Sequence, residues 1–337
     1  MRSSRLTLAL NGALPDLPES GDIVVLRPRT PQELAPLPIS RLRIVQGFRP
    51  DHDTFAAAGY RCFALPEDEA DLPAPAVALV CLPRSRHEAH ALLHHAARRV
   101  VPGGMVLVDG QKTDGIESIL KELRKITDTS PPFSKAHGKL FIFRGQKDLL
   151  PDTWQAQPRQ IAEGFVTYPG VFSADGPDPG SALLAGALPE KLDGEVIDLG
   201  AGWGYLSRAA LARDGVRRIH LVEAEAAAVK AARENVTDPR AQFHWADAQG
   251  FKLPKEADHV ICNPPFHNGR DADPNLGLGF LRAAARLLAP NGTLWLVANR
   301  HLPYDRALAE LFRESEEIGG NTRFRLCRAA RPIRPKA

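Results

Sequence analysis

The C-terminal half of the chain alternates short apolar runs with segments in which alanine and leucine recur every three or four residues. The runs at 195–200 (EVIDLG), 218–225 (RIHLVEAE), 241–247 (AQFHWAD), 258–265 (DHVICNPP) and 292–299 (GTLWLVAN) have apolar centres, as expected of strands covered on both faces. Between them, 205–215, 226–236 and 278–290 carry the period of amphipathic helices. This alternation predicts a parallel α/β sheet whose ligands sit at the carboxyl ends of its strands.

The N-terminal half repeats the plan in worn form. AVALVCLPRS (76–85) parallels DHVICNPPFH (258–267), and HHAARRVVPGGMVLVDGQK (94–112) parallels RAAARLLAPNGTLWLVANR (282–300). Aligning Cys81 with Cys262 puts Leu82 where Asn263 stands and Arg84 where Pro265 stands. The first copy also lacks a glycine-rich turn comparable to 200–204, so it is expected to keep the fold without the chemistry. The expected organisation is a degenerate copy over 1–145, a linker and lead-in loop rich in Pro and Gly over 146–180, and a complete copy over 181–337.

Composition narrows the class. With 337 residues, 44 % hydrophobic and 25 % charged, the chain is an ordinary globular protein with room for two domains. No run reaches the length of a membrane span, and Asn11, Pro15 and Asp16 interrupt the apolar N-terminus, so no signal peptide is expected. The four cysteines are scattered without a CxxC pair, which fits buried free thiols in a reducing cytoplasm. The net charge of +3 is uneven, and residues 321–337 hold six basic and no acidic side chains. Such an end is either a solvated tail or a contact for phosphates. His87, His90, His94 and His95 share one side of a predicted helix, but no Cys or carboxylate set completes a zinc site, and no metal is expected.

Four strand ends carry the candidate chemistry. In VIDLGAGWG (196–204) a strand runs into Gly200, Gly202 and Gly204, which let the backbone turn tightly and approach a ligand. Asp198, ahead of the glycines, suits a cationic amino group better than a pyrophosphate. Glu223 ends the second strand about twenty residues after the glycines, where an acid can accept both hydroxyls of a ribose. Asp247 ends the third strand and can accept from an adenine amino group. At the fourth, Asn263 stops the apolar run. Its side-chain oxygen and the carbonyl of Pro264 can accept both hydrogens of a planar NH₂ group, and proline holds that carbonyl rigid. Phe266 offers a ring on which a base stacks.

These segments carry a resemblance. Residues 160–330 resemble the class I S-adenosylmethionine-dependent methyltransferases. Through 170–184, 196–207, 259–269 and 294–304 the whole chain resembles the ribosomal RNA small subunit methyltransferase C family, which has two tandem domains. The large subunit methyltransferase G family shares the NPPF segment and the tandem plan. The resemblance implies two tandem Rossmann-like α/β domains, the first degenerate and serving RNA recognition or structural support. It implies that Asp198, Gly200, Gly202, Gly204, Glu223 and Asp247 bind S-adenosyl-L-methionine, with Phe172, Ser181 and Asn263 lining the pocket. Asn263, Pro264 and Phe266 would then hold the amine of a guanine in ribosomal RNA. His267 would either stabilise the loop or touch the acceptor. Trp203 departs from the family's small residue, but its side chain can point along the helix, so cofactor binding is still expected. The implied partner is ribosomal RNA or the assembled small subunit, and the oligomeric state stays open. A 23S guanine, a protein glutamine, adenine N6, or a cofactor-free RNA-binding module are the alternatives.

Overall fold

The computed structural model describes residues 2–265, 267–268, 271–272 and 274–334. The chain divides into two compact units, one of residues 1–158 and 168–170, the other of 159–167 and 171–337.

The second unit is built on a seven-stranded sheet in the order Ala241–Trp245, Asp214–Glu223, Lys191–Leu199, Ala257–Cys262, Leu288–Asn299, Phe324–Pro332, Phe312–Gly320. The first five strands are parallel, and the last two return antiparallel as a hairpin. Side-chain alternation feeds two cores. Ile197, Val260 and Leu294 face Leu281, Ala284 and Leu287 of the helix Pro274–Leu287. Val196, Ile261 and Val297 pack with Leu184, Leu206 and Ala232, from the helices Pro179–Ala187, Tyr205–Leu211 and Ala226–Asn235. The strand order reverses between Lys191–Leu199 and Ala257–Cys262, and in open α/β sheets the crevice at that reversal receives the ligand.

The C-terminal hairpin changes one expectation. The basic end is not a tail. Phe324–Pro332 pairs residue by residue with Thr293–Asn299 through Phe324–Ala330, and its Pro332 pairs with Phe312 on the other side. Its apolar residues Phe324, Leu326, Cys327, Ala329 and Ala330 are buried. Arg325 pairs with Asp305, Arg328 with Glu316, Arg331 with Glu314, and Arg334 with Glu256. Arginines spaced between buried apolar positions belong to a strand, which a charge count conceals.

The first unit repeats the strand order: Arg61–Phe63, Leu42–Val45, Ile23–Leu26, Val77–Cys81, Met105–Gln111, Gly138–Arg144, Phe133–Lys135. The ladders fix the correspondence between the copies. Leu26 pairs with Val80 and Leu199 with Cys262, while Leu79 pairs with Leu107 and Ile261 with Trp295. Val80 therefore answers to Cys262, and it is Cys81, not Leu82, that occupies the place of Asn263. The one-residue slip is invisible in an apolar run where Val, Cys and Leu fit equally well. The same register sets Arg27 at the place of Gly200 and Gln46 at that of Glu223, since Arg27 N–H donates to Val45 O as Gly200 N–H does to Val222 O. Arg27 keeps the left-handed backbone (φ 59°) of that turn. Its side chain closes onto Glu88 at 2.8 Å and Gln46 at 3.0 Å. The predicted histidine row also disperses. His90 stacks on Trp154 and bonds Glu122, and His95 meets Glu69.

Candidate active site

The glycine turn follows Leu199. Gly200, Gly202 and Gly204 all have left-handed backbones, with φ of 81°, 55° and 92°. A Cβ on Gly204 would meet Val236 at 2.8 Å, and one on Gly200 would meet Phe280 at 3.0 Å, so these two serve packing. Gly202 opens onto space, with nothing within 4 Å of an added Cβ. It is the glycine that leaves room for a ligand against the backbone.

Two carboxylates brace this turn. Glu223 accepts from Gly202 N–H at 2.8 Å through one oxygen and from Glu225 N–H at 2.7 Å through the other, so backbone donors orient its carboxylate. Burial pushes its pKa up against those bonds. Asp198 is fully buried. Ser207 Oγ–H donates to its Oδ2 at 2.6 Å, while Oδ1 has no partner. Burial drives this carboxyl up to about 7, opposed by the Ser207 bond. A buried carboxylate oxygen without a partner is costly and marks a place where a donor is missing. These acceptors thus fit a ligand carrying a cationic amino group and a ribose, whose N–H and O–H groups donate. Asp247 lies two residues beyond the strand Ala241–Trp245, in a turn where it accepts from Gln249 N–H at 3.0 Å.

The segment 171–187 closes the site from the other side. Asp178 caps the helix Pro179–Ala187 by accepting from Ser181 N–H, and Pro179 supplies the preset φ of the first turn. Asn263 Nδ2 donates to the same Asp178 oxygen at 2.9 Å and to Ser181 Oγ at 2.9 Å. With both amide hydrogens given to the protein, the side-chain oxygen is what Asn263 has left to offer a ligand, and it is an acceptor. Pro264 is buried; Phe266 lies outside the described residues, and of His267 only the backbone is described.

Trp203 sits just ahead of the helix Tyr205–Leu211, with its ring edge-on to Tyr205 at 5.7 Å. It is buried, its Nε1–H donates to Phe172 O at 3.0 Å, and its ring meets Phe165 edge-on, tying both phenylalanines to the glycine turn. Phe172 itself is 63 % exposed. It borders both a small pocket shared with Gly202, Trp203, Ser181 and Asn263, and a neighbouring cavity of about 550 Å³. Asp178 and Asn263 also line the larger cavity, opposite Asn299, Arg300, His301, Arg323 and Phe324. The structure therefore gathers Phe172, Ser181, Gly200, Gly202 and Asn263 around one pocket, with Glu223 bonded to its glycine turn and Asp198 beneath it. Asp247 lines neither space. Sequence reading missed Asp178 and the Arg300–Arg323 wall. The signal for Asp178 was the Asp-Pro-Gly-Ser cap.

Known proteins resemble this chain over most of its length. Residues 163–328 match the methyltransferase small domain family. The ribosomal RNA small subunit methyltransferase C of Salmonella choleraesuis (strain SC-B67) is 31 % identical over 252 residues, 73 % of this chain and 73 % of the relative. Its counterpart in Pseudomonas aeruginosa (strain LESB58) is 33 % identical over 262 residues, 75 % of this chain and 79 % of the relative. Among solved structures, a T. thermophilus 16S rRNA guanine-N2 methyltransferase in complex with AdoMet and guanosine has a TM-score of 0.76 at 26 % identity. The match covers 93 % of this chain and 89 % of that one. Among the described residues no helix is long and apolar enough to cross a membrane, and no His, Cys, Asp or Glu group could hold a metal ion.

Proposed function

The chain belongs to the ribosomal RNA small subunit methyltransferase C family, and from this we propose that it methylates the exocyclic N2 of a guanine in 16S rRNA, using S-adenosyl-L-methionine. The observation that carries the reading is Asn263, its amide hydrogens held by Asp178 and Ser181 and its oxygen left as acceptor beside a cavity of about 550 Å³. When bound, the cofactor supplies an electrophilic methyl on a sulfonium. Asp198 would meet its amino group and Glu223 its ribose, with Gly202 giving the backbone approach; Asp247 would take its adenine.

The protein's part is positioning and electrostatics. A guanine amine is a poor nucleophile because its lone pair is delocalised into the ring. Asn263 Oδ1 and the Pro264 carbonyl accept its two hydrogens and so fix the face it presents. Positive charge grows on that nitrogen during transfer, and two acceptor dipoles already in place stabilise it. Asp178, bonded to the Asn263 amide, adds negative potential behind the first acceptor. Phe172, and Phe266 by its place in the motif, give the base rings to stack on. Entry of the guanine requires it to leave its stack.

The first unit supports recognition or stability rather than transfer. Arg27 and Gln46 replace the glycine and the acid, and Cys81 replaces the amide. The enzyme acts in the cytoplasm, on ribosomal RNA or the small subunit. Methyl transfer from labelled cofactor to small subunits, free 16S rRNA, large subunits and release-factor protein, each assayed separately, tests this. Label in a 16S guanine supports it, and label confined to large subunits or protein refutes it.

Asp198 gives a pH prediction. Its folded pKa of about 7 lies above the unfolded value of 3.8. Its contribution to stability is therefore fully present below about 3.8 and is lost as pH rises through about 7. The loss approaches about 4 kcal/mol as an upper limit. Urea melts of the cofactor-free protein should show Asp198→Asn gaining on wild type between pH 4 and 7 and holding a constant lead above. Parallel pH curves for the two proteins would refute an ionising, buried Asp198. Asp198 loses its proton when an ammonium reaches Oδ1, so cofactor binding at pH 6 should release a proton, read as a buffer-dependent enthalpy absent in the variant.

A further inference from the structure

The shared topology locates a second cavity. In the catalytic unit, Asn299 pairs with Phe324 and Arg300 N–H donates to Arg323 O at 3.0 Å, and these residues line the acceptor cavity. In the first unit, Gln111 pairs with Gly138 and Lys112 N–H donates to His137 O at 2.9 Å. Lys112 thus answers to Arg300 and His137 to Arg323. At this place the first unit has its own cavity of about 450 Å³, lined by Lys112, Glu117, Ser134, Lys135, His137 and Lys139 among others. The worn copy has lost the amide that holds an amine, yet it keeps the hollow and its basic rim.

The charges there are placed to meet an anion. Glu117 is spent on Lys139 at 2.7 Å. Asp114, next to the rim, accepts from Gln111 N–H at 3.0 Å and lies 3.9 Å from Arg84. No described carboxylate pairs with Lys112 or Lys135, and both are exposed. The rim is also anchored from beneath. Fully buried Arg5, bonded to Asp109, donates to Lys135 O at 2.9 Å, and the turn's Ala136 and His137 both take left-handed backbones. The pinned turn fixes the backbone that carries Lys135, so phosphate binding there has only side chains to order.

We propose that this hollow is a phosphate-backbone site for the substrate RNA, with Lys112 and Lys135 as its cationic contacts and His137 as a hydrogen-bonding partner. The site rests on the reading that the acceptor is RNA. It is sequence-blind, because phosphates and not base edges face its cations.

The test uses the full-length chain with Lys112→Ala/Lys135→Ala, and Lys112→Arg/Lys135→Arg as the conservative control. Anisotropy of a labelled 16S rRNA fragment across a KCl series gives affinity and salt slope. The alanine pair should bind about tenfold more weakly and lose about one to two units of the log–log slope, while the arginine pair keeps both. KM for RNA should rise about tenfold with kcat and cofactor affinity unchanged. Unchanged slope and KM in the alanine pair overturn the site while leaving the methyltransferase reading intact. A wild type that binds RNA with the expected slope but transfers no methyl leaves the site standing and removes that reading. Equal loss of inorganic phosphate binding with no change toward RNA assigns the hollow to a free anion and overturns the proposal.

Discussion

Asn263→Ala should lower kcat by about two to three orders of magnitude, with the cofactor's dissociation constant within a few-fold of wild type. The size follows from removing one preorganised group aimed at developing charge, about 3–4 kcal/mol of transition-state stabilisation. The cofactor should be little affected because Asn263 spends its amide hydrogens on Asp178 and Ser181, and the cofactor's proposed polar contacts fall on Asp198, Glu223 and Asp247 instead. Asn263→Asp sharpens the test. It keeps the size but replaces the donating NH₂ with a second oxygen facing the Asp178 carboxylate, so the two repel and the acceptor swings away. It should be nearly as inactive as the alanine variant. Steady-state kinetics on 16S rRNA with calorimetry of the cofactor reads both quantities. Activity near wild type in either variant would remove Asn263 from the reaction.

Asp178→Ala should cost about one to two orders of magnitude in kcat although Asp178 need touch neither reactant. One of its oxygens serves both the helix cap and the Asn263 amide. Its loss lets the amide turn, and small misplacements of a catalytic group are expensive. Stability should also fall by about 1 kcal/mol from the missing cap. Asp178→Asn separates the two effects, because its single side-chain oxygen can still accept both bonds. It should restore the cap and most of kcat. Ser181→Ala removes only one of the two holds on Asn263 and should have a smaller effect on kcat than Asp178→Ala. A capping role alone would lower the melting point in Asp178→Ala and leave kcat at saturating RNA untouched.

How much of this was readable in the chain depended on the range of the interaction. The α/β alternation, the glycine turn, Glu223 and Asn263 each sit at the end of an apolar run, so local pattern and strand order placed them. Asp178 could be seen as a helix cap. Its bond to Asn263, 85 positions away, exists only once the sheet closes. The strand Phe324–Pro332 was hidden because its arginines outweighed its apolar alternation in a charge count, and each found a carboxylate on a neighbouring element. The slip that moved Cys81 into the place of Asn263 shows the limit of matching apolar strands by eye. Hydrophobic residues specify a face, and the ladder specifies the residue. The partner of Trp203 was hidden for a related reason: its indole N–H requires an acceptor once buried and finds it on Phe172, 31 positions back.

The claim that a guanine amine of 16S rRNA meets Asn263 is tested most directly by mass mapping of methylated guanines in rRNA. The samples come from cells with the gene, without it, and with the Asn263→Ala form alone. One N2-methylguanine in 16S rRNA should be present in the first and missing from the other two. A 16S map identical in all three, or a missing methyl in 23S rRNA instead, would contradict the account.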